Sequence, residues 1–182
     1  MIKLYLKLFI ISGFPFALIT GIIFSYKDGV LNNVIFGTIS GLLFGLTASS
    51  LLMFLHISLS RKAVPEKKDY DLAVHQKDHV KVPLPLNETF ILCLESLHTI
   101  NKCKIEAQTL FQGKITARAG LNWKTWGDII SLKLKKINND TTYVYISSRP
   151  YARTTLLDFG KNLQNVWKIK EYLLGHAGID GN

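Results

Sequence analysis

The run LFIISGFPFALITGIIFSY, residues 8–26, decides the fold because it holds 19 residues without a formal charge. That length can cross the hydrocarbon core of a bilayer, and membrane helices tolerate an interior residue such as Pro15. A second uncharged run covers residues 34–59. Because no small-residue cleavage site follows the first run, a signal peptide is disfavoured. The sequence therefore predicts a two-helix transmembrane hairpin over residues 1–60.

Positive charges flank both spans on the same side. Lys3 and Lys7 precede the first span, and Arg61 and Lys62 follow the second. The loop at residues 27–33, with a predicted external turn at its Asp-Gly pair, is nearly neutral. Because positive residues stay in the cytoplasm, both termini and the C-terminal region are predicted at the cytoplasmic side of the inner membrane.

Small residues recur at every fourth position in both spans. Such residues line one helix face and allow two backbones to approach closely. They are Gly13, Ala17 and Gly21 in the first span and Gly37, Gly41, Gly45 and Ser49 in the second. Either the two spans pack against each other within one hairpin, or the second helix also mediates a homo-oligomer. The first interpretation is favoured.

The chain after the spans is charged and basic. From Arg61 onward it holds 19 Lys/Arg and 12 Asp/Glu, which is +7 (19 − 12) of the total +9. A basic domain beside a membrane attracts anionic lipid heads or a phosphorylated ligand, although part of this charge serves as the orientation signal. Cys93 and Cys103 form no CxxC pair, so neither a zinc site nor a disulfide framework is indicated, and no cofactor is predicted.

Residues 61–83 are predicted to be a linker because they are charged and interrupted by two prolines, with His75 and His79 as solvated residues. The domain at 84–182 then begins with a helix capped by Asn87 that runs to about Ile100. Four strands are predicted at 104–111, 114–119, 128–136 and 142–148, followed by a helix at 161–174 that ends at Gly175. The expected fold class is α+β, with an α-β-β-β-β-α order and an antiparallel four-stranded sheet covered on one face by both helices.

Two short motifs in this domain resemble a known pattern. Ser147-Ser148-Arg149 and Asp158-Phe159-Gly160-Lys161-Asn162, followed by an amphipathic helix, resemble the C-terminal part of a bacterial family of unknown function. In that family a strand ends in a Ser-Arg loop, and an Asp-x-Gly-x-Asn turn starts the last helix. The layout matches over about residues 86–174, and the two spans resemble small uncharacterised bacterial membrane proteins. The resemblance implies a fold and a bacterial origin, and it supplies no reaction.

Cations and tryptophans gather in the predicted loops. They are Trp123, Lys124, Trp126, Arg149, Arg153 and Lys161. Arginine and lysine beside aromatic rings can hold phosphate and stack a base, and a helix start adds backbone amides. In the alternative, which is favoured, the tryptophans cover the sheet edge and the cations face water. Asp158 is interpreted as a turn or N-cap residue, and Gly160 as the source of an unusual backbone angle.

The search for catalytic motifs finds no HExxH, GxSxG or phosphate-binding loop, so an enzyme is the least favoured class. Nothing in the sequence indicates that Asp128 and Asp158 form a carboxylate pair. The first hypothesis is a membrane-tethered cytosolic module that recruits or senses a partner or small ligand. The alternative is a ligand-gated effector, in which an anionic nucleotide of the antiphage type permeabilises the membrane through oligomerised spans. The expected partners are the lipid bilayer, another copy of the chain and an anionic or nucleotide ligand, and no DNA duplex.

Overall fold

The computed structural model describes residues 1–24, 30–64 and 72–177 and divides the chain into two units, Met1–Ser58 and Leu59–Asn182. Two helices, α1 (Ile2–Phe24) and α2 (Val30–Ala63), are long and apolar enough to cross a membrane. Large apolar side chains project outward from them, including Phe14 at 63% and Ile22 at 70% exposure. A core helix of a soluble protein would bury such residues, so these surfaces fit a membrane anchor. The predicted external turn lies outside the described residues.

The small residues of α1 and α2 face each other within the hairpin. A Cβ atom on Gly13 would stand 2.7 Å from the carbonyl oxygen of Gly41, and one on Gly37 would stand 2.7 Å from that of Ala17. The hydroxyls of Thr20 and Ser40 lie 3.0 Å apart across the same contact. The backbones are therefore close enough that this contact has no room for a larger side chain.

The second unit contains a five-stranded antiparallel sheet in the order β1-β5-β4-β3-β2. Its strands are β1 (Gln76–Val82), β2 (Lys104–Thr109), β3 (Lys114–Ala119), β4 (Asp128–Asn138) and β5 (Thr141–Pro150). Helix α3 (Leu86–Ser96) and a 3₁₀ turn (Leu97–Thr99) connect β1 to β2, and α4 (Lys161–His176) follows β5. The α+β class is confirmed. The prediction of four strands is wrong because the sheet has a fifth.

The missed strand, β1, lies inside the predicted linker. Only Gln76, Val80 and Val82 are buried on its inner side, while His79 is exposed beside Tyr143 of β5. Asp78 forms an ion pair with Lys170 of α4 at 2.9 Å, which ties this edge strand to the helix layer. An edge strand with two buried aliphatic residues and charged outer positions gives a weak alternation signal, so it reads as linker.

Two predicted helix ends are also corrected. The N-cap position of α3 is Pro85, and no side chain caps it; Asn87 is already helical. Proline fixes a φ of −56° there and its carbonyl accepts the first intrahelical bond from Thr89 at 2.9 Å. Gly175 does not end α4, because the helix continues through His176, whose ring stacks on Tyr172 one turn earlier at 3.8 Å.

The sheet has one covered face and one open face. On the covered face, aliphatic residues of β3, β4 and β5 form a core with α3 and α4: Ile115, Ile130, Leu132, Val144, Ile146 and Ile169. The alternate residues point the other way and are half-buried or exposed, as in the Tyr143, Tyr145, Ser147 series of β5. We call this second side the open face. Strands with one apolar and one polar side are typical of an antiparallel sheet covered on one face only.

Candidate functional site

The six predicted ligand residues do not form one cluster. Lys124 and Trp123 contact the segment that precedes α4, whereas Arg149 and Arg153 line a separate cavity. Trp126 is 75% exposed. Lys161 is half-buried at the start of α4, and burial lowers the pKa of its ammonium group, partly offset by the Asp128 carboxylate. The sequence pattern therefore groups residues that belong to two separate features of the fold. One is the loop with Trp123 and Lys124, and the other is the cavity lined by Arg149 and Arg153.

The loop between β3 and β4 is held by Asn122. Its Oδ1 accepts hydrogen bonds from the backbone N–H groups of Lys124 and Thr125, at 2.8 and 3.0 Å. This geometry is a side-chain turn of the kind asparagine favours. It presents Lys124, whose Nζ donates to the Phe159 carbonyl at 3.2 Å, and Trp123, whose ring stacks on Phe159 at 5.8 Å. Burial lowers the pKa of Lys124, and Asp158 opposes that shift.

The turn before α4 holds two consecutive residues in the left-handed region, Phe159 at φ 51° and Gly160 at φ 74°. A non-glycine residue there is strained, so the surrounding contacts must stabilise it. Asp158 supplies them: its Oδ1 accepts from Gly160 N at 3.2 Å and its Oδ2 accepts from Asn162 N at 2.9 Å. The expected unusual angle at Gly160 and the turn role of Asp158 are both present.

A chain of buried side-chain hydrogen bonds connects this turn to the sheet. Asn162 Nδ2 donates to Asp158 Oδ2 at 2.9 Å, and Ser148 Oγ donates to Asn162 Oδ1 at 2.6 Å. Asn165 Nδ2 then bridges Ser148 Oγ and Asp128 Oδ2, at 3.2 Å each. All five residues are buried. We call this set the polar network. It joins the two aspartates through three intervening side chains, without direct pairing.

Asp128 is the unusual member of the polar network. Burial raises the pKa of its carboxyl group, while hydrogen bonds from Thr125 and Asn165 and the charge of Lys161 oppose the shift. Its Oδ1 and the Oδ1 of Asn165 have no hydrogen-bond partner among the described residues. A buried acceptor without a donor is costly, so burial and these unsatisfied oxygens both act against the ionised form of Asp128. The network is enclosed, so its first role is to fix α4 on the sheet.

The sequence contained a signal for this network. Ser148 occupies an inward position in the alternation that places Val144 and Ile146 in the core. Asn162 and Asn165 are three residues apart, so they share a helix face, and that face also carries Val166 and Ile169. Polar residues at core positions indicate buried hydrogen bonds. Ser148, Asp158 and Asn162 are also the residues on which the family resemblance depends.

The cavity at the other site has a volume of about 370 Å³. It is lined by the segment before β1 and by the end of β5 with the loop that follows: Val74, His75, Arg149, Pro150, Ala152, Arg153 and Thr155. The Arg149 guanidinium donates to its neighbour's carbonyl at Pro150 over 3.4 Å. Burial lowers the pKa of His75, and the positive charges of Lys77 and Arg149 lower it further. The cavity is thus a positively charged recess suited to an anion.

The comparisons with known proteins return only solved structures of low sequence identity. No family model matches the chain, and no curated protein matches it either. The structure is similar to the crystal structure of Ara h 8.0201, at 10% identity and TM-score 0.39, over 57% of this chain and 96% of that one. Zhui aromatase/cyclase from Streptomyces sp. R1128 gives 10% identity and 0.35, over 57% and 86% of the respective chains. The di-domain ARO/CYC StfQ of the steffimycin biosynthetic pathway gives 12% and 0.35, over 76% and 60%.

Proposed function

We propose that this chain is a membrane-tethered module whose α+β domain binds a small anionic ligand in the cavity lined by Arg149 and Arg153. The observation that carries the proposal is the positively charged recess itself. Its volume of about 370 Å³ lies within the range of small-molecule sites, roughly 300–1,000 Å³. Two guanidinium groups can hold a phosphate or carboxylate through paired hydrogen bonds, and the imidazole of His75 can add a third donor.

The location proposed for this module is the cytoplasmic face of the inner membrane. Support comes from the basic residues on one side of both spans: Lys3 and Lys7 before α1, and Arg61 and Lys62 in the last turn of α2. The apolar surfaces of both helices support the membrane anchor. On this basis the domain samples cytosolic metabolites or signals while the anchor keeps it at the bilayer.

The packing of the hairpin favours the tether over the gated effector. An effector that permeabilises the membrane needs contacts between several copies of the spans. The small residues that best support such contacts, including Gly13, Gly37 and Gly41, already face the other helix of the same hairpin. The anionic nucleotide remains one ligand class that the recess would accept, because its phosphates offer the same acceptor chemistry.

The test is a titration of the full chain, reconstituted in nanodiscs, with inorganic phosphate, citrate, and linear and cyclic nucleotides at low salt. Replacing Arg149 or Arg153 with Ala should weaken binding roughly 10- to 150-fold, because each removes a charged hydrogen bond worth about 1.5–3 kcal/mol. Lys135→Ala, an exposed cation on β4, is the matched control and should leave affinity within about twofold, as expected for a distant surface charge.

Two results would count against the proposal. The first is no saturable binding by any of these anions at low salt, and the second is binding that is indifferent to both arginines. A dye-release assay with the same ligands in proteoliposomes separates tether from effector, since only an effector releases dye when its ligand is added.

A further inference from the structure

The open face of the sheet concentrates positive charge. Eight cations on its five strands point to this side: Lys77, Lys81, Lys104, Lys114, Arg118, Lys133, Lys135 and Arg149. Nearby, the Glu106 carboxylate lies 3.9 Å from the Arg118 guanidinium. A surface with so strong a sign bias attracts a polyanion and repels a positively charged partner.

The strand register places like charges in direct opposition. Lys114 of β3 is the cross-strand partner of Lys133 on β4, and both side chains are exposed. Opposed like charges destabilise a sheet, so this pair works against the fold in the free domain. In the next row, Tyr143 of β5 lies between Lys81 and Lys135. Anionic groups on this side would remove the repulsion and stabilise the same arrangement.

Aromatic rings occupy the side of the open face formed by β1 and β5. The Tyr143 ring stacks on His79 at 5.4 Å and on Tyr145 at 5.6 Å, and Tyr145 is 46% exposed. Tyrosine combines an apolar ring with a polar hydroxyl, and it is enriched where a protein meets the headgroup layer of a membrane. A flat patch of lysines around tyrosines therefore has the composition of a membrane-contacting surface.

We propose that the open face docks on the anionic headgroups of the bilayer that holds α1 and α2. The occupant follows from the anchor, since the lipid surface is always within reach. Only 12 residues (64–75) lie between the end of α2 at Ala63 and β1 at Gln76, a tether of at most about 45 Å when fully extended. Because the anchor already holds the domain beside the bilayer, docking costs little translational entropy. The weak attraction of each lysine to acidic lipid is then sufficient to hold the open face on the headgroups.

The geometry favours lipid over single-stranded nucleic acid. Nucleic-acid platforms on sheets offer unoccupied ring faces to successive bases. Here the three rings of this patch, His79, Tyr143 and Tyr145, stack on one another. Six of the eight cations are lysines, which act as point charges toward phosphate and read no base edge. The open face and the recess share Arg149, but lipid docking is tested on Lys114, Lys133 and Lys135, none of which lines the recess, so either proposal can fail without the other.

The test is amine acylation of the full chain, followed by mass spectrometry, in nanodiscs of neutral phosphatidylcholine and in discs with one-third phosphatidylglycerol. Docking should slow the acylation of Lys114 and Lys133 roughly threefold or more in the acidic discs, and salt near 0.5 M should reverse the effect by screening. Lys102 and Lys168 lie outside the open face and serve as internal references. A general effect of surface potential cancels when the acylation rates of Lys114 and Lys133 are divided by those of the references.

A matched pair of variants isolates the face. The double change Lys114→Gln and Lys133→Gln should abolish the lipid-dependent protection of Lys135, whereas Lys102→Gln with Lys168→Gln should leave it intact. Equal relative acylation rates in the two kinds of disc would overturn the proposal. It would also be overturned if oligouridine protected these lysines in neutral discs while acidic lipid did not, because the face would then belong to nucleic acid.

Discussion

Replacing Asp158 with Ala should destabilise the second unit more than any exposed substitution. The carboxylate is 1% exposed and accepts three hydrogen bonds, from Gly160 N at 3.2 Å, from Asn162 N at 2.9 Å and from Asn162 Nδ2 at 2.9 Å. Alanine leaves these donors buried without an acceptor. An unsatisfied buried donor costs about 1–3 kcal/mol, and the three losses are not additive because they share one turn. We expect a loss of about 3–4 kcal/mol.

The strained backbone adds to this expectation. Phe159 and Gly160 hold positive φ angles that Asp158 stabilises through its bond to Gly160 N. Without the carboxylate the turn can relax, and the start of α4 loses the groups that satisfy its first amides. At about 5 °C per kcal/mol for a domain of this size, the midpoint of thermal unfolding should fall by roughly 15–20 °C.

The assay can use the intact chain because all three tryptophans, Trp123, Trp126 and Trp167, lie in the second unit. Their fluorescence during heating in nanodiscs reports unfolding of that unit alone. Asp140→Ala, in the exposed turn between β4 and β5, removes an equivalent charge and should shift the midpoint by less than about 3 °C, as surface substitutions do. A shift below about 5 °C for Asp158→Ala would show that the polar network contributes little to the fold.

Three further predictions address the anchor, the buried acid and the orientation. Gly41→Leu should disrupt the hairpin, because even a Cβ atom there meets Ala17 and the Gly13 carbonyl oxygen. We expect reduced accumulation of this variant in membranes. A yield equal to that of the control Leu43→Ala, at an outward-facing position, would contradict the contact. Burial raises the pKa of Asp128 above its ordinary 3.8, so the folded state binds this proton more tightly than the unfolded state does. The contribution of Asp128 to the free energy of unfolding is therefore present at low pH and is lost as the pH rises through the folded pKa. Asp128→Asn, which stays neutral, should therefore flatten that decline and equal or exceed the native stability at pH 7; denaturant midpoints measured from pH 4 to 8 check this, and a variant less stable at every pH would refute it. A reporter fused after residue 182 should report cytoplasm, and activity of a fused alkaline phosphatase would place the domain on the other side.

The parts of the fold that follow from local pattern were predictable from the sequence. The inward series Ile130, Leu132, Leu134 in β4 is a plain two-residue alternation, and the structure has it as expected. Strand β1 was missed because its pairing with β5 is non-local: Gln76 partners Ser148, 72 residues later (148 − 76), and no local pattern records that choice. Its charged outer residues resemble those of a linker for the same reason.

The candidate site was only partly predictable. Their charge predicts Arg149 and Arg153 as candidate ligand residues, and both line one recess. His75 lines the same recess from the segment before β1. Its place there depends on the pairing of β1 with β5, which the local sequence does not indicate. The polar network was accessible in principle, because Ser148, Asn162 and Asn165 stand at core positions of their elements. The hydrogen bonds that connect them depend on how α4 packs on β5, and no local sequence pattern records that packing.

The position of β1 at the edge of the sheet, beside the last strand, sets an order of assembly. Strands β2 to β5 form successive hairpins of low sequence separation, so they can pair as soon as each emerges from the ribosome. Strand β1 is synthesised first but must wait for β5, while α1 and α2 already precede it in the chain and can enter the bilayer. During that interval β1 is unpaired. Its residues Lys77 and Lys81 disfavour pairing with a strand of another chain.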